Sequence, residues 1–158
     1  MSAALYPRIL SSPKGSFFLL GPRGTGKSTW IRGTFPEARR IDLLDEALYQ
    51  SYLADIGGFA GELRGLAPGS IVIVDEVQRL PALLNEVHRH IEDRRLRFVL
   101  CGSSARKLKT AGTDLLAGRA LRRHLHPLVP EELGKDFDLD HALQFGTSPH
   151  RQDGTRSR

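Results

Sequence analysis

The sequence predicts a doubly wound α/β domain, and three observations carry that prediction. An apolar run, Phe17-Phe18-Leu19-Leu20, feeds straight into the glycine-rich octet Gly21-Pro22-Arg23-Gly24-Thr25-Gly26-Lys27-Ser28, and a helical pattern follows it. A second run, Ile71-Val72-Ile73-Val74, is β-branched throughout, shows no polar alternation and ends in Asp75-Glu76. Such continuity marks a strand covered on both faces, as the central strands of parallel sheets are. Between and beyond these runs, strand-like segments alternate with helical ones, the pattern of a parallel sheet with crossover helices.

Each element follows from local signals. Met1 to Gly15 reads as a lead-in with turn signals at Pro7, Pro13 and Gly15. A strand is expected over 16–20, then a helix from about Gly26, because Lys27, Trp30, Ile31 and Thr34 recur at helical spacing and Gly33 with Pro36 closes the pattern. Arg40-Ile41-Asp42-Leu43 fits a second strand. Asp45 to Tyr52 is helical by pattern, with Leu44, Ala47, Leu48 and Tyr52 near one face and Asp45 as a cap. A helix around Phe59, Leu63 and Leu66 is weakened by Gly57, Gly58, Gly61 and Gly65.

After the acidic strand, Pro81 suits a helix start, and Leu83, Leu84, Val87 and Ile91 make a stripe up to about Asp93. His88 and His90 point in different directions on that helix, which suits surface or boundary positions and not joint metal ligation. A strand over 97–101 precedes the polar turn Gly102-Ser103-Ser104, a basic segment to Lys109, a loop and a strand near 120–126. Beyond Pro130, short helices are expected at Glu131 to Leu133 and at Leu139 to Phe145. Gly146 to Arg158 holds almost nothing apolar, the composition of a disordered tail.

The octet satisfies G-x-x-x-x-G-K-[ST] in full, and its chemistry follows from its residue types. Glycines let consecutive backbone N–H groups turn inward around phosphates, Lys27 neutralises the β/γ oxygens, and the Ser28 hydroxyl can sit on Mg²⁺. The helix that starts there, with Thr29 next in line, aims its N-terminal dipole at the same anion. Asp75 and Glu76 fall at the C-terminal tip of a central strand, where α/β proteins bind ligands. An isolated Asp-Glu pair would be an ordinary charged strand end. Below a phosphate loop, Asp75 is placed to hold Mg²⁺ through water and Glu76 to polarise an attacking water.

Size and charge narrow the class. At 158 residues with 40% hydrophobic content the chain is one domain, long enough for a real core. The single Cys101 excludes an internal disulfide and fits a reducing, cytoplasmic setting; its place in Phe98-Val99-Leu100-Cys101 suits a small buried residue better than a catalytic thiol. No stretch approaches the roughly 18 apolar residues of a membrane span, and no secretory signal pattern opens the chain. Net charge is +5, of which +2 falls in residues 147–158, where Arg151, Arg156 and Arg158 face Asp153. The remaining +3 permits nucleic-acid contact without implying it; the local cluster Arg119, Arg122, Arg123, His124 and His126 reads as a nucleic-acid surface, a solvated edge or a subunit contact.

Four blocks in order resemble a group of prokaryotic AAA+ ATPases: the octet, Val-Asp-Glu-Val-Gln-Arg with Pro81 behind it, Cys-Gly-Ser-Ser-Ala-Arg-Lys-Leu, and Leu-Leu-Ala-Gly-Arg-Ala. The resemblance spans about Phe17 to Phe145. It implies the three-layer sandwich of a P-loop NTPase with five parallel core strands, ATP with Mg²⁺, and homo-oligomers whose neighbours complete one another's sites. It implies Lys27 and Ser28 as phosphate and Mg²⁺ contacts, Asp75 as metal holder and Glu76 as base. Ser103, with Ser104 as rival, resembles the polar γ-phosphate sensor, and Arg119 an arginine finger. On this reading residues 1–130 form the nucleotide-binding core, 131–146 begin a helical lid or linker, and 147–158 are a basic tail. Full members continue through a lid and a further domain, so the chain looks truncated with its lid incomplete. Mg-dependent hydrolysis at low turnover is expected, against a non-catalytic nucleotide-binding remnant or a P-loop kinase; the tandem Asp75-Glu76 suits water activation better than phosphoryl transfer to an acceptor.

Overall fold

In the computed structural model, residues 6–103 and 116–148 are described. Five parallel strands form one sheet in the order β2-β3-β4-β1-β5: β1 (Ser16–Leu20), β2 (Arg39–Asp42), β3 (Ile71–Asp75), β4 (Arg97–Gly102) and β5 (Ala120–His124). The order places β1 and β3 on either side of β4, so the octet after β1 and the carboxylates after β3 emerge at one edge of the sheet. Register brings Asp42 level with Asp75, and Leu20 level with Gly102 and His124.

Alternation along the strands builds two cores, one on each face of the sheet. Phe18, Leu20, Ile41, Val72, Val74, Phe98 and Leu100 face one way, toward α2 (Glu46–Ala54), α3 (Ile56–Arg64) and α4 (Leu83–Arg94). Phe17, Leu19, Ile73, Val99, Cys101 and Leu125 face the other, toward Ile31 of α1 (Lys27–Thr34) and Phe35. Phe17 meets Trp30 and Phe35 with ring centroids 6.3 and 6.2 Å apart. This is why neither Ile71–Val74 nor Phe17–Leu20 shows polar alternation: both faces are covered.

Several boundaries differ from expectation for identifiable reasons. The glycine-rich α3 is a regular nine-residue helix, because Phe59, Ala60 and Leu63 are buried while Gly57, Gly58 and Gly61 point outward, and the Asp55 carboxylate caps Gly57 N–H at 2.8 Å. Burial outweighs the weak helix propensity of glycine. The Asp45 cap expected for α2 is present, accepting from Leu48 N–H at 3.1 Å. Pro81 lies in a turn just before α4, and a 3₁₀ turn at Val77–Arg79 intervenes between β3 and that helix. His90, expected at a surface or boundary position, is buried, its ring Nδ1 2.8 Å from the Glu86 carbonyl.

The lead-in is stitched to the domain. Arg97 donates through Nε to Gly15 O at 3.1 Å and through Nη2 to Ser12 Oγ at 2.9 Å. Past β5, the chain forms two short helices, α5 (Pro130–Leu133) and α6 (Leu139–Phe145), the latter capped by Asp138. Ser104, the basic segment to Lys109 and residues 149–158 of the expected tail lie outside the described residues.

Candidate phosphate-binding site

The loop Gly21–Gly26 is bent by glycines where side chains would not fit. Gly24 and Gly26 take φ of 81° and 86°, and Gly26 serves as the N-cap of α1. A Cβ on Gly21 would lie 2.2 Å from the Leu125 carbonyl oxygen, because the segment after β5 is hydrogen-bonded to the end of β1, Leu125 N–H to Leu20 O at 2.8 Å. Thr25 is buried, its hydroxyl donating to Pro22 O at 2.9 Å. Pro22 and Arg23 are exposed, and so are Ser28 and Thr29 on the first turn of α1.

Lys27 folds back over its own loop, donating from Nζ to Gly21 O at 2.6 Å and Pro22 O at 2.8 Å. Burial lowers the ammonium's pKa below the usual lysine value; Glu76 and then Asp75 pull the other way. Both carboxylates are therefore close enough to act on Lys27. Asp75 is held above the usual carboxylate range, chiefly by burial and further by the charges of Asp42 and Glu76, against a hydrogen bond from Glu76 N–H at 3.0 Å and the charge of Lys27. Cys101, wholly buried on β4, has its thiol pushed well up by burial and is no nucleophile.

Glu76 is buried, with φ 53°, a left-handed conformation uncommon for a residue with a side chain. Its Oε2 accepts from Gln78 Nε2, which also lies 3.5 Å from Ser103 Oγ just past β4. The structure thus brings Lys27, Asp75, Glu76 and Ser103 to one edge, as expected from the sequence, and adds Gln78. The sequence signal for it was an amide two residues behind Glu76, between Val77 and Arg79.

Arg8 is a second addition. From the lead-in it donates to Thr25 O at 2.9 Å and to His126 O, and its Nε lies 3.1 Å from Glu132 Oε1 of α5 as an ion pair. Arg119 sits elsewhere. It precedes Ala120, which is level with Ser16 at the start of β1, so it lies at the opposite end of the strands from the loop, roughly 17 Å away along β1. There its Nε donates to Glu92 Oε1 of α4.

The family model described as "AAA domain" matches residues 14–134, more than half of the chain. The chain belongs to this family. It is an AAA+ P-loop domain, and the five-stranded parallel sheet is that family's fold. It is 34% identical over 99 residues to the Holliday junction branch migration complex subunit RuvB of Chlorobium chlorochromatii (strain CaD3). That match covers 58% of this chain and 26% of the relative, so the chain spans about a quarter of the curated relative's length. Among solved structures it resembles the replication initiator DnaA bound to AMPPCP and single-stranded DNA, with TM-score 0.58 and 17% identity over 89% of this chain and 53% of that one. It also resembles PCH-2 of C. elegans, with TM-score 0.51 and 17% identity over 79% of this chain and 42% of that one. At these identities the structural likeness concerns the fold. Among the described residues of this AAA domain, no helix is long and apolar enough to cross a membrane.

Proposed function

We propose that this AAA domain binds ATP with Mg²⁺ at Gly21–Thr29 and hydrolyses it. The observation that carries the reading is Lys27, an ammonium resting on the carbonyls of Gly21 and Pro22 with the Glu76 and Asp75 carboxylates as its main opposing charges. Phosphate oxygens are better partners for an ammonium than neutral carbonyls are, so a triphosphate takes Lys27 over from the loop. Backbone N–H groups at the start of α1 supply the remaining anion contacts.

The donor set suits Mg²⁺. Asp75 is an oxygen ligand whose charge is under-compensated, and Ser28 presents an exposed hydroxyl on the first turn of α1. Asp75 and Ser28 would supply one or two protein ligands, the share Mg²⁺ usually takes from a protein, with phosphate oxygens and water completing its shell. Held by Asp75 and Ser28, Mg²⁺ would neutralise charge on the phosphates. Glu76 accepts the proton of the attacking water as its oxygen bonds to the γ-phosphorus and the bond to the β–γ bridging oxygen breaks, and Ser103 contacts the γ-phosphate.

Arg119, remote from its own loop, serves a neighbouring copy in a homo-oligomer. The exposed residues Arg122, His124 and His126, with the two imidazoles stacked at 6.0 Å, make the β5 edge the surface where nucleic acid would bind, in keeping with the DNA-related names of RuvB and DnaA. Residues 131–146 are proposed as the start of a helical lid or linker.

Titration with a fluorescent ATP analogue and Mg²⁺ tests the site, and phosphate release tests the chemistry. Lys27→Ala should weaken binding about 100-fold or more, the worth of charge-assisted contacts. Glu76→Gln should bind like the parent and lose about 100-fold or more in turnover. Equal loss of binding in both variants would remove Glu76 from its role, and a parent that binds without releasing phosphate would leave a nucleotide-binding module and no enzyme.

A further inference from the structure

Gln78 occupies the 3₁₀ turn Val77–Arg79, between the tips of β3 and β4. Its Nε2 serves two acceptors, the Glu76 carboxylate through Oε2 and, 3.5 Å away, the Ser103 hydroxyl. Its other amide atom, Oε1, is buried and finds no hydrogen-bond partner among the described residues. Turning the amide over does not cure this. It would set Oε1 against the carboxylate, acceptor facing acceptor, and leave Nε2 buried without one. The orientation is therefore imposed by Glu76, at the cost of a buried acceptor left unmet. A residue kept only for packing would carry no such cost, since the methionine of equal length would fill the same space.

We propose that Gln78 is a positioning residue whose single amide couples the Glu76 carboxylate to the Ser103 hydroxyl, so that what Ser103 contacts is transmitted to the group that activates water. The inference rests on the hydrolytic reading above. The two contacts are unequal: that to Glu76 is charge-assisted, that to Ser103 is long. The weaker one is where a phosphate oxygen competes for the hydroxyl, and the planar amide carries the change to Glu76, because its two N–H bonds point in fixed directions about 120° apart. Glu76 is susceptible to such steering, since its left-handed backbone is a sparsely populated state that surrounding contacts must hold.

The test uses the full chain with Gln78→Met, Ser103→Ala and the double variant. Gln78→Met should melt close to the parent and bind a non-hydrolysable ATP analogue with Mg²⁺ within about 2-fold, while turnover falls about 10-fold or more. The double variant should be no slower than Gln78→Met alone, because residues acting as a unit are not additive. A readout independent of turnover is the side-chain amide resonance of Gln78, assigned by its loss in Gln78→Met. It should shift when the analogue binds the parent and stay in place when the analogue binds Ser103→Ala. Turnover of Gln78→Met within about 2-fold of the parent, multiplicative losses in the double variant, or an amide shift that persists in Ser103→Ala would each overturn the coupling. Should the parent bind but not turn over, the hydrolytic reading fails by itself, and the amide resonance still decides whether the coupling exists.

Discussion

Two groups of buried charge lie at the same edge of the sheet, and they are built in opposite ways. The Arg8–Glu132 clasp is buried, with side chains 9% and 6% exposed, and its charges are matched: Arg8 Nε lies against Glu132 Oε1 as an ion pair, though without a hydrogen bond of its own among the described residues. Arg8 donates to two carbonyls, and Glu132 takes Arg8 and Ile9 N–H on Oε1 and Val129 N–H on Oε2. The Lys27–Asp75–Glu76 group is under-partnered: burial disfavours the charge on Lys27 and on Asp75, Glu76 sits on a left-handed backbone, and Gln78 carries an unmet acceptor. A buried charge matched by an opposite charge in contact holds a structure together, whereas buried charges left without such a match favour whatever ligand supplies it. The two groups also touch, since Arg8 holds the carbonyl of Thr25 within the phosphate loop itself.

Breaking the clasp should have the largest effect, and that effect should fall on stability. Arg8→Ala leaves Glu132 buried without its counter-charge, which costs about 3–5 kcal/mol. In a domain of this size that is a fall in Tm of about 10 °C, read by thermal unfolding. Replacing both partners, Arg8→Met with Glu132→Leu, should recover most of the loss, because a buried pair is often worth no more than the hydrophobic groups that replace it. If the double variant melts no higher than the single ones, the clasp acts through its bonds to Thr25 and His126 and not through its ion pair.

At the under-partnered group the sign reverses. Burial holds the Asp75 carboxyl above the usual carboxylate range, so its ionisation opposes folding. That penalty is absent below the unfolded chain's pKa of about 3.9, grows as the pH rises from there to the folded value, and stays in full above it. Asp75→Asn should therefore raise Tm at pH 7, with the gain vanishing near about pH 3, while Mg²⁺-dependent turnover is lost. A lower Tm at pH 7 would show that Asp75 is a structural group like Glu132 and would dissolve the contrast.

The contrast also explains what could be read from the sequence. Strands β1 and β3 and the octet were legible because each is dictated by neighbours in the chain: two covered faces require unbroken apolar runs, and the turn around phosphates requires Gly24 and Gly26. Asp75 and Glu76 were legible because strand tips are where such sheets place chemistry. The clasp was not, since Arg8 and Glu132 are joined across most of the chain and neither carries a local signal. Gln78 was overlooked because an amide is an ordinary surface residue until the fold turns it onto Glu76. Gly21 needs the structure as well: the nearby Leu125 carbonyl, not the loop alone, excludes a side chain there.

Arg119 offers the smallest expected change in stability and separates a third kind of charge from the two above. Its pair with Glu92 is open to solvent, with side chains 41% and 51% exposed. Removing such a pair costs about 0–1 kcal/mol, so Arg119→Ala should melt within about 4 °C of the parent. Because Arg119 lies at the far end of the strands from its own loop, the variant should bind nucleotide normally and, when dilute and monomeric, turn over at the parent's rate. Only where copies associate should turnover fall, as a neighbour's arginine contributes to γ-phosphate stabilisation in trans. The measurement is phosphate release across a concentration series with sedimentation run in parallel. A loss that appears in the monomer would place Arg119 in its own site, and no loss at any degree of assembly would leave the Glu92 pair as a solvated surface contact.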